Sequence, residues 1–235
     1  MAVYLQLEGA TGRIFEYSKE EKEGFDKHES TKGNVSYRKY YTKGLFGELL
    51  NVGIREFSIG PQITLALKKG DDIQVLQMPL YSQDGNIDNR YAESLIRFLP
   101  NMKKGESYRL YPYAMDIKDS KYKRYGVSVH LSPDPENETK GEKVVPYLNY
   151  SKNPKEDTDI PNLEWAMKAG KNRPTGASQD IKDEFLFQHL QNAVEGHLKY
   201  EGNETEESPL PEQPKETPAE PVNDLETDDY DDLPF

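Results

Sequence analysis

The chain has 235 residues, no cysteine and a formal charge of −12. That is room for one ordinary domain with extensions, and it excludes disulfides and thiolate metal sites. The charge is not uniform: residues 201–235 hold 13 acids against one base, Lys215, which leaves 29 acids and 29 bases in the first 200 residues. The acidity therefore belongs to the tail, and the neutral body can contact anionic partners wherever its cations cluster. The sequence has neither a run of 18 apolar residues nor a cleavable apolar leader, so a soluble, cytoplasmic protein is expected.

Composition divides the chain into an N-terminal extension at 1–35, a β-rich domain at 36–131, a loop and helical extension at 132–200 and a tail at 201–235. In the first segment Val3, Leu5 and Leu7 alternate, and Gly9–Gly12 can turn the chain back into Ile14, Phe15 and Tyr17 as a hairpin. Lys19–Ser30 is highly charged and reads as an exposed loop or a short helix.

From Ser36 the pattern sharpens. Leu45–Phe57 reads as a long strand with Leu50, Val52 and Ile54 on one face, and Gly47 and Gly53 mark bends or bulges within it. Ile63, Leu65 and Leu67 alternate with polar or small residues as a half-buried strand. Lys69-Gly70-Asp71-Asp72 then turns the chain into a returning strand at Ile73–Leu80. In Asn86–Met102 the period changes. Tyr91, Leu95, Phe98 and Leu99 fall on one helical face, with Asn86 or Asp88 as cap and Pro100 as stop. Glu106–Ile117 and Tyr122–Leu131 are two further strands. The order of three strands, a helix and two strands predicts a mainly β, five-stranded OB-fold-like barrel with its helix between strands three and four. Another small five-stranded barrel would give the same string.

Residues 132–179 read as extended loops with a short helix around Leu163, Trp165 and Met167. Asp180–Tyr200 reads as a helix capped by Asp180. Ile181, Phe185, Leu186, Leu190, Val194 and Leu198 form one stripe, to be packed on the barrel or on a second copy of the chain. From Glu201 on, Pro, Glu and Thr dominate; such a segment buries too little apolar area to offset its ordering entropy and is expected to be a disordered tether.

Tyrosine next to Lys and Arg is the body's distinguishing feature. Tyr37, Tyr40 and Tyr41 sit with Arg38, Lys39 and Lys43; Tyr108, Tyr111 and Tyr113 with Arg109; Tyr122 and Tyr125 with Lys121, Lys123 and Arg124. Unstacked bases lie on flat rings and phosphates pair with cations, so these clusters suit single-stranded nucleic acid. Each stacked base contributes roughly 1–3 kcal/mol whatever its identity. Tyr is also a good strand residue, so some rings belong to packing. Parity assigns Tyr125 to the core with Val127 and Val129. It groups Arg109, Tyr111 and Tyr113 on one face unless Pro112 interrupts the strand.

Catalytic signatures are lacking: there is no phosphate loop, no GxSxG, no HExxH and no Cys-His pair. The four histidines are scattered, and His189 and His197, eight apart, lack a third ligand. No catalytic residue, metal or cofactor is expected. The tail ends in Asp228, Asp229, Tyr230, Asp231, Asp232, Leu233, Pro234 and Phe235. An aromatic tip behind flanking acids suits docking into a small pocket with a basic rim.

Asp231-Asp232-Leu233-Pro234-Phe235 resembles the ending of bacterial single-stranded DNA-binding proteins, which is commonly two or three Asp, an apolar residue, then Pro-Phe. The body is more similar to the single-stranded DNA-binding proteins of tailed bacteriophages, which join an OB-fold to such a tail. The resemblance implies a non-catalytic protein that coats single-stranded DNA and recruits replication, recombination and repair proteins through Leu233, Pro234 and Phe235. In a phage-encoded case it would act in the host cytoplasm. A protein-interaction adaptor and an RNA-binding OB protein are the alternatives.

Overall fold

The computed structural model describes residues 2–30, 33–88, 90–118, 120–132, 141–168 and 170–197. The tail, with the docking residues Asp228 to Phe235, lies outside them, as do Leu198 and Tyr200 of the expected helix.

Over the described residues the molecule is mainly β, with one large mixed sheet and two α-helices. Its strands are β1 (Ala2–Leu7), β2 (Ile14–Ser18), β3 (Asp26–Glu29), β4 (Val35–Tyr41), β5 (Leu45–Phe57), β6 (Gly60–Lys69) and β7 (Asp72–Pro79). Helix α1 (Ala92–Ile96) and a 3₁₀ turn (Leu99–Asn101) precede β8 (Ser107–Asp116) and β9 (Lys123–Leu131). These nine strands form one sheet in the order β3-β4-β2-β1-β7-β6-β5-β8-β9. Residues 1–35, expected as an extension, supply three of its strands. β1 runs parallel to β7, with Leu5 opposite Leu76, while the other ladders are antiparallel. The charged stretch 19–30, expected as loop or helix, contains β3.

β5 is the organising strand. It pairs through Glu48–Phe57 with β6 and, through Leu45–Glu48, with β8. Its bulge lies between Leu49 and Asn51. Leu49 therefore joins Val52 and Ile54 on the inner face, and Leu50, expected there, is displaced. Gly47 is where β6 comes closest: a Cβ there would stand 2.4 Å from the Lys68 carbonyl oxygen. The core runs from Leu5 and Ile14 through Leu65, Leu67 and Leu76 to Leu110, Val127 and Val129, each at most 2% exposed. Tyr125 packs against it, edge-on to Tyr91 at 5.9 Å.

Helix α1 has five residues, all buried, instead of the longer helix predicted. So short a segment does not hold itself together in water, and packing of Leu95 and Ile96 in the core sustains it. Its N-cap position is Tyr91, without a side-chain cap; Asp88 instead accepts from the Arg90 amide at 2.8 Å. Pro100, expected as a stop, sits inside the 3₁₀ turn.

The outer edge of β9 is not left open. Ser94 Oγ accepts from the Val127 amide (2.9 Å) and donates to its carbonyl (3.2 Å). Val144 donates to the Val129 carbonyl, and the Leu131 amide donates to the Glu142 carbonyl. A helix residue and the segment 141–144 thus satisfy backbone groups that would otherwise template pairing with another chain. Among the described residues no ladder joins β9 to a further named strand.

Beyond β9 come the short parallel pair β10 (Asn149–Tyr150) and β11 (Asp159–Ile160), the antiparallel ribbon of β12 (Trp165–Lys168) and β13 (Lys171–Pro174), and helix α2 (Gly176–Asn192), which passes into a π turn at Ala193–His197. The expected short helix around Trp165 is this ribbon. The cap of α2 is Thr175, not Asp180; its hydroxyl accepts from the Ser178 amide at 3.3 Å. Helix α2 buries Ser178, Lys182, Leu186 and Leu190, while Ile181, expected in the stripe, is 58% exposed. The helix is turned so that Lys182 reaches Glu93 of α1 at 2.8 Å, and Tyr150 donates to the same carboxylate at 2.5 Å. No described helix is long and apolar enough to cross a membrane.

His189 of α2 lies between the Phe185 ring (4.6 Å) and the Tyr147 ring (6.1 Å). Burial lowers its pKa below 6.5, partly offset by a hydrogen bond to the Asp157 backbone. With the folded pKa below the unfolded one, the unfolded state binds the proton more readily. This group's contribution to stability is fully present above about pH 6.5 and is lost as pH falls through the folded pKa. The urea midpoint should fall between about pH 7.5 and about pH 5.5, and His189→Gln should reduce that fall. An equal fall in both proteins would contradict this assignment.

Candidate nucleic-acid interface

The tight β1–β2 turn presses on β8. A Cβ on Gly12 would lie 3.0 Å from the Tyr113 backbone nitrogen, so the turn reaches across to the strand that carries Tyr111. From the other side, the link between β4 and β5 passes Tyr111 at Gly44. Its φ is +76°, and an added Cβ would stand 2.5 Å from the Leu110 carbonyl oxygen and 2.8 Å from the Tyr111 ring. Between these walls lies a cleft of about 200 Å³, lined by Arg13, Tyr40, Tyr41, Thr42, Tyr111 and Pro112 among others. That is below the roughly 300–1,000 Å³ of a pocket that encloses a drug-sized molecule. It suits one flat ring entering from an extended ligand.

The tyrosines of two sequence clusters meet here. Tyr40 carries the Arg13 guanidinium over its ring at 4.3 Å and donates to Glu8 at 3.3 Å. Tyr41 donates to Glu16 at 3.4 Å; burial, followed by the Glu16 carboxylate, raises its pKa to about 12, so it stays a neutral phenol. Tyr111 accepts from Arg109 at 3.3 Å and meets His130 edge-on at 5.9 Å. Ser128 Oγ and His130 Nε2 are 2.9 Å apart on the same face. Pro112 does not disturb the ladder: Arg109, Tyr111 and Tyr113 stand opposite His130, Ser128 and Gly126 in regular register.

Two of the predicted cations are not surface groups. Arg38 is 9% exposed, lies over Phe15 at 4.5 Å and pairs with Glu8 at 3.2 Å. Arg109 is 3% exposed, with its guanidinium 4.7 Å from the Phe46 ring, which Lys69 covers from 3.9 Å. Neither is among the residues that line the cleft. Glu8 joins Arg13, Arg38 and Tyr40 through its carboxylate. Burial pushes its pKa up, but hydrogen bonds from Thr11 and Arg13 and the charges of Arg13 and Arg38 outweigh that and leave it lowered.

Lys39 and Lys43 are exposed, Tyr37 is half-buried on β4, and Tyr113 is half-buried against the β1–β2 turn. The third predicted cluster stays apart from the cleft, at the end of the β8–β9 hairpin. There Lys121 lies 5.2 Å from the Tyr122 ring, Lys123 is 4.0 Å from Asp116, and Lys123 and Arg124 are exposed. Arg124 pairs in register with Met115, four residues along β8 from Tyr111, or about 13 Å at strand rise. Exposed Met115 and Ile117 add apolar surface to this tip. The sequence reading missed Arg13, because a cation brought onto Tyr40 from another strand leaves no local pattern. No family model, curated protein or solved structure matches the chain.

Proposed function

We propose that the protein binds single-stranded DNA without strong sequence preference. One base would enter the cleft of Tyr40, Tyr41 and Tyr111, and the strand would run along β8–β9 toward Tyr122, Lys123 and Arg124. The observation that carries this is the meeting, in one cleft, of tyrosines roughly 70 residues apart, with Arg13 stacked on one ring and Lys43 on the adjoining turn. Rings supply sequence-tolerant stacking, and cations supply phosphate attraction. The strand order β5–β6–β7, α1, β8–β9 supports an OB-like core, a fold that is itself a partly open barrel. On this reading the protein makes and breaks no bonds. The tip Leu233-Pro234-Phe235, steered by Asp228, Asp229, Asp231 and Asp232, recruits replication, recombination and repair proteins.

The test is fluorescence anisotropy with a labelled dT oligonucleotide against duplex of equal length over a salt series. A strong single-strand preference that weakens with salt is expected. Tyr111→Ala should weaken binding by roughly 5–150-fold, the equivalent of one stacked base. Absence of oligonucleotide binding would discard the reading. Ribo-oligomers outcompeting deoxyribo-oligomers would move it to RNA.

A further inference from the structure

The ribbon β12–β13 projects from the fold. Every residue of it except Lys171 is exposed, with Trp165 at 36% and Met167 at 72%. Its register separates two faces. Ala166 is opposite Arg173 and Lys168 opposite Lys171, so all three cations share one side. Trp165 is opposite Pro174 and Met167 opposite Asn172, so the aromatic and the thioether share the other. From Trp165 to Pro174 there is no acid, in a chain with 42 acidic residues.

The ribbon's root is fixed. The Thr175 amide donates to the Glu164 carbonyl at 2.7 Å, and the Glu164 amide donates to Ser178 Oγ at 3.0 Å. These bonds clamp both strand ends to the first turn of α2, so the ribbon is held ready rather than ordered on binding.

We infer that this ribbon is a second contact for single-stranded nucleic acid, with Lys168, Lys171 and Arg173 on the phosphates and Trp165 stacking a base. Charge selects the ligand: an acid-free, triply cationic strip on a chain of net charge −12 complements a polyanion. The ribbon's opposite face carries the ring, so a strand passing around the ribbon's edge meets cations on one side and Trp165 on the other; unstacked bases use such a ring, and duplex DNA, its bases already stacked, does not offer it a partner. This inference rests on the DNA-binding reading above and extends its footprint beyond the cleft.

Trp165 is the chain's single tryptophan, so its emission reports on the ribbon alone. Full-length protein is titrated with dT oligonucleotide, following label anisotropy and tryptophan emission together. Quenching in step with the anisotropy rise is expected. The triple variant Lys168→Ala/Lys171→Ala/Arg173→Ala should reduce the slope of log Kobs against log salt by about 2, three contacts at about 0.7 each. Trp165→Ala should weaken binding by roughly 5–150-fold. Anisotropy binding with unchanged emission and an unchanged salt slope in the triple variant overturns the ribbon contact and leaves the cleft reading standing. Equal quenching by duplex overturns its single-strand character. Failure of the oligonucleotide to bind at all removes both.

Discussion

Lys182→Ala is expected to destabilise the protein by about 3–5 kcal/mol, because it leaves the Glu93 carboxylate buried without its cation. The Glu93 and Lys182 side chains are 3% and 10% exposed, and their contact at 2.8 Å joins α2 to α1. Water cannot replace the lost ammonium, and the remaining donor, Tyr150, supplies one hydrogen bond. Chemical denaturation read by circular dichroism gives the value. Replacing the whole group at once, Glu93→Leu with Lys182→Met and Tyr150→Phe, should cost far less, since no charge is then stranded. A loss below about 1 kcal/mol for Lys182→Ala would mean that α2 contributes little to holding the sheet.

Gly44→Ala carries the second large effect. The left-handed backbone at φ +76° disfavours a side chain, and the methyl group would meet the Leu110 carbonyl and the Tyr111 ring at once. Backbone strain of about 1–2 kcal/mol adds to overpacking of about 1–3 kcal/mol, for a total of roughly 2–5 kcal/mol. The carbonyl does not yield cheaply, because it is backbone in a ladder. The variant should also displace the Tyr111 ring and weaken oligonucleotide binding more than its fraction unfolded explains. Wild-type stability together with wild-type binding would refute the geometry of this turn.

What was legible in the sequence was what is local. The hairpins β1–β2 and β6–β7 followed from alternation and turn residues, β8 and β9 read as two strands, and α1 fell between β7 and β8 as expected, while β4 was read only as a cluster of rings and cations. The parallel pairing of β1 with β7 left no local trace, which is why residues 1–35 read as an extension. Trp165 and Met167 read as helix because a four-residue strand is too short for its alternation to speak. Lys168, Lys171 and Arg173 on the facing positions were the signal that could have identified a ribbon.

Burial was the harder quantity. Arg38 and Arg109 looked like phosphate contacts beside their tyrosines, yet Glu8, thirty positions before Arg38, and Phe46 from β5 draw them inward. Ile181 outranks Lys182 on any hydrophobic scale, but the carboxylate of Glu93 decides which faces α1. The cleft was visible only as its parts: the sequence named Tyr40, Tyr41 and Tyr111, and the β4–β5 link and the β1–β2 turn bring them together.

The partner of β1 also sets a timetable for synthesis. Ala2 pairs with Ile73, so β1 must wait for roughly 70 further residues before this neighbour is made. At about 5–20 residues per second that is a delay of roughly 4–14 s. Until then Val3, Leu5 and Leu7 have only the β2 hairpin to shelter them. During this interval the nascent chain is open to chaperone capture, or to pairing with a neighbouring nascent copy, and slow codons before β7 would lengthen it.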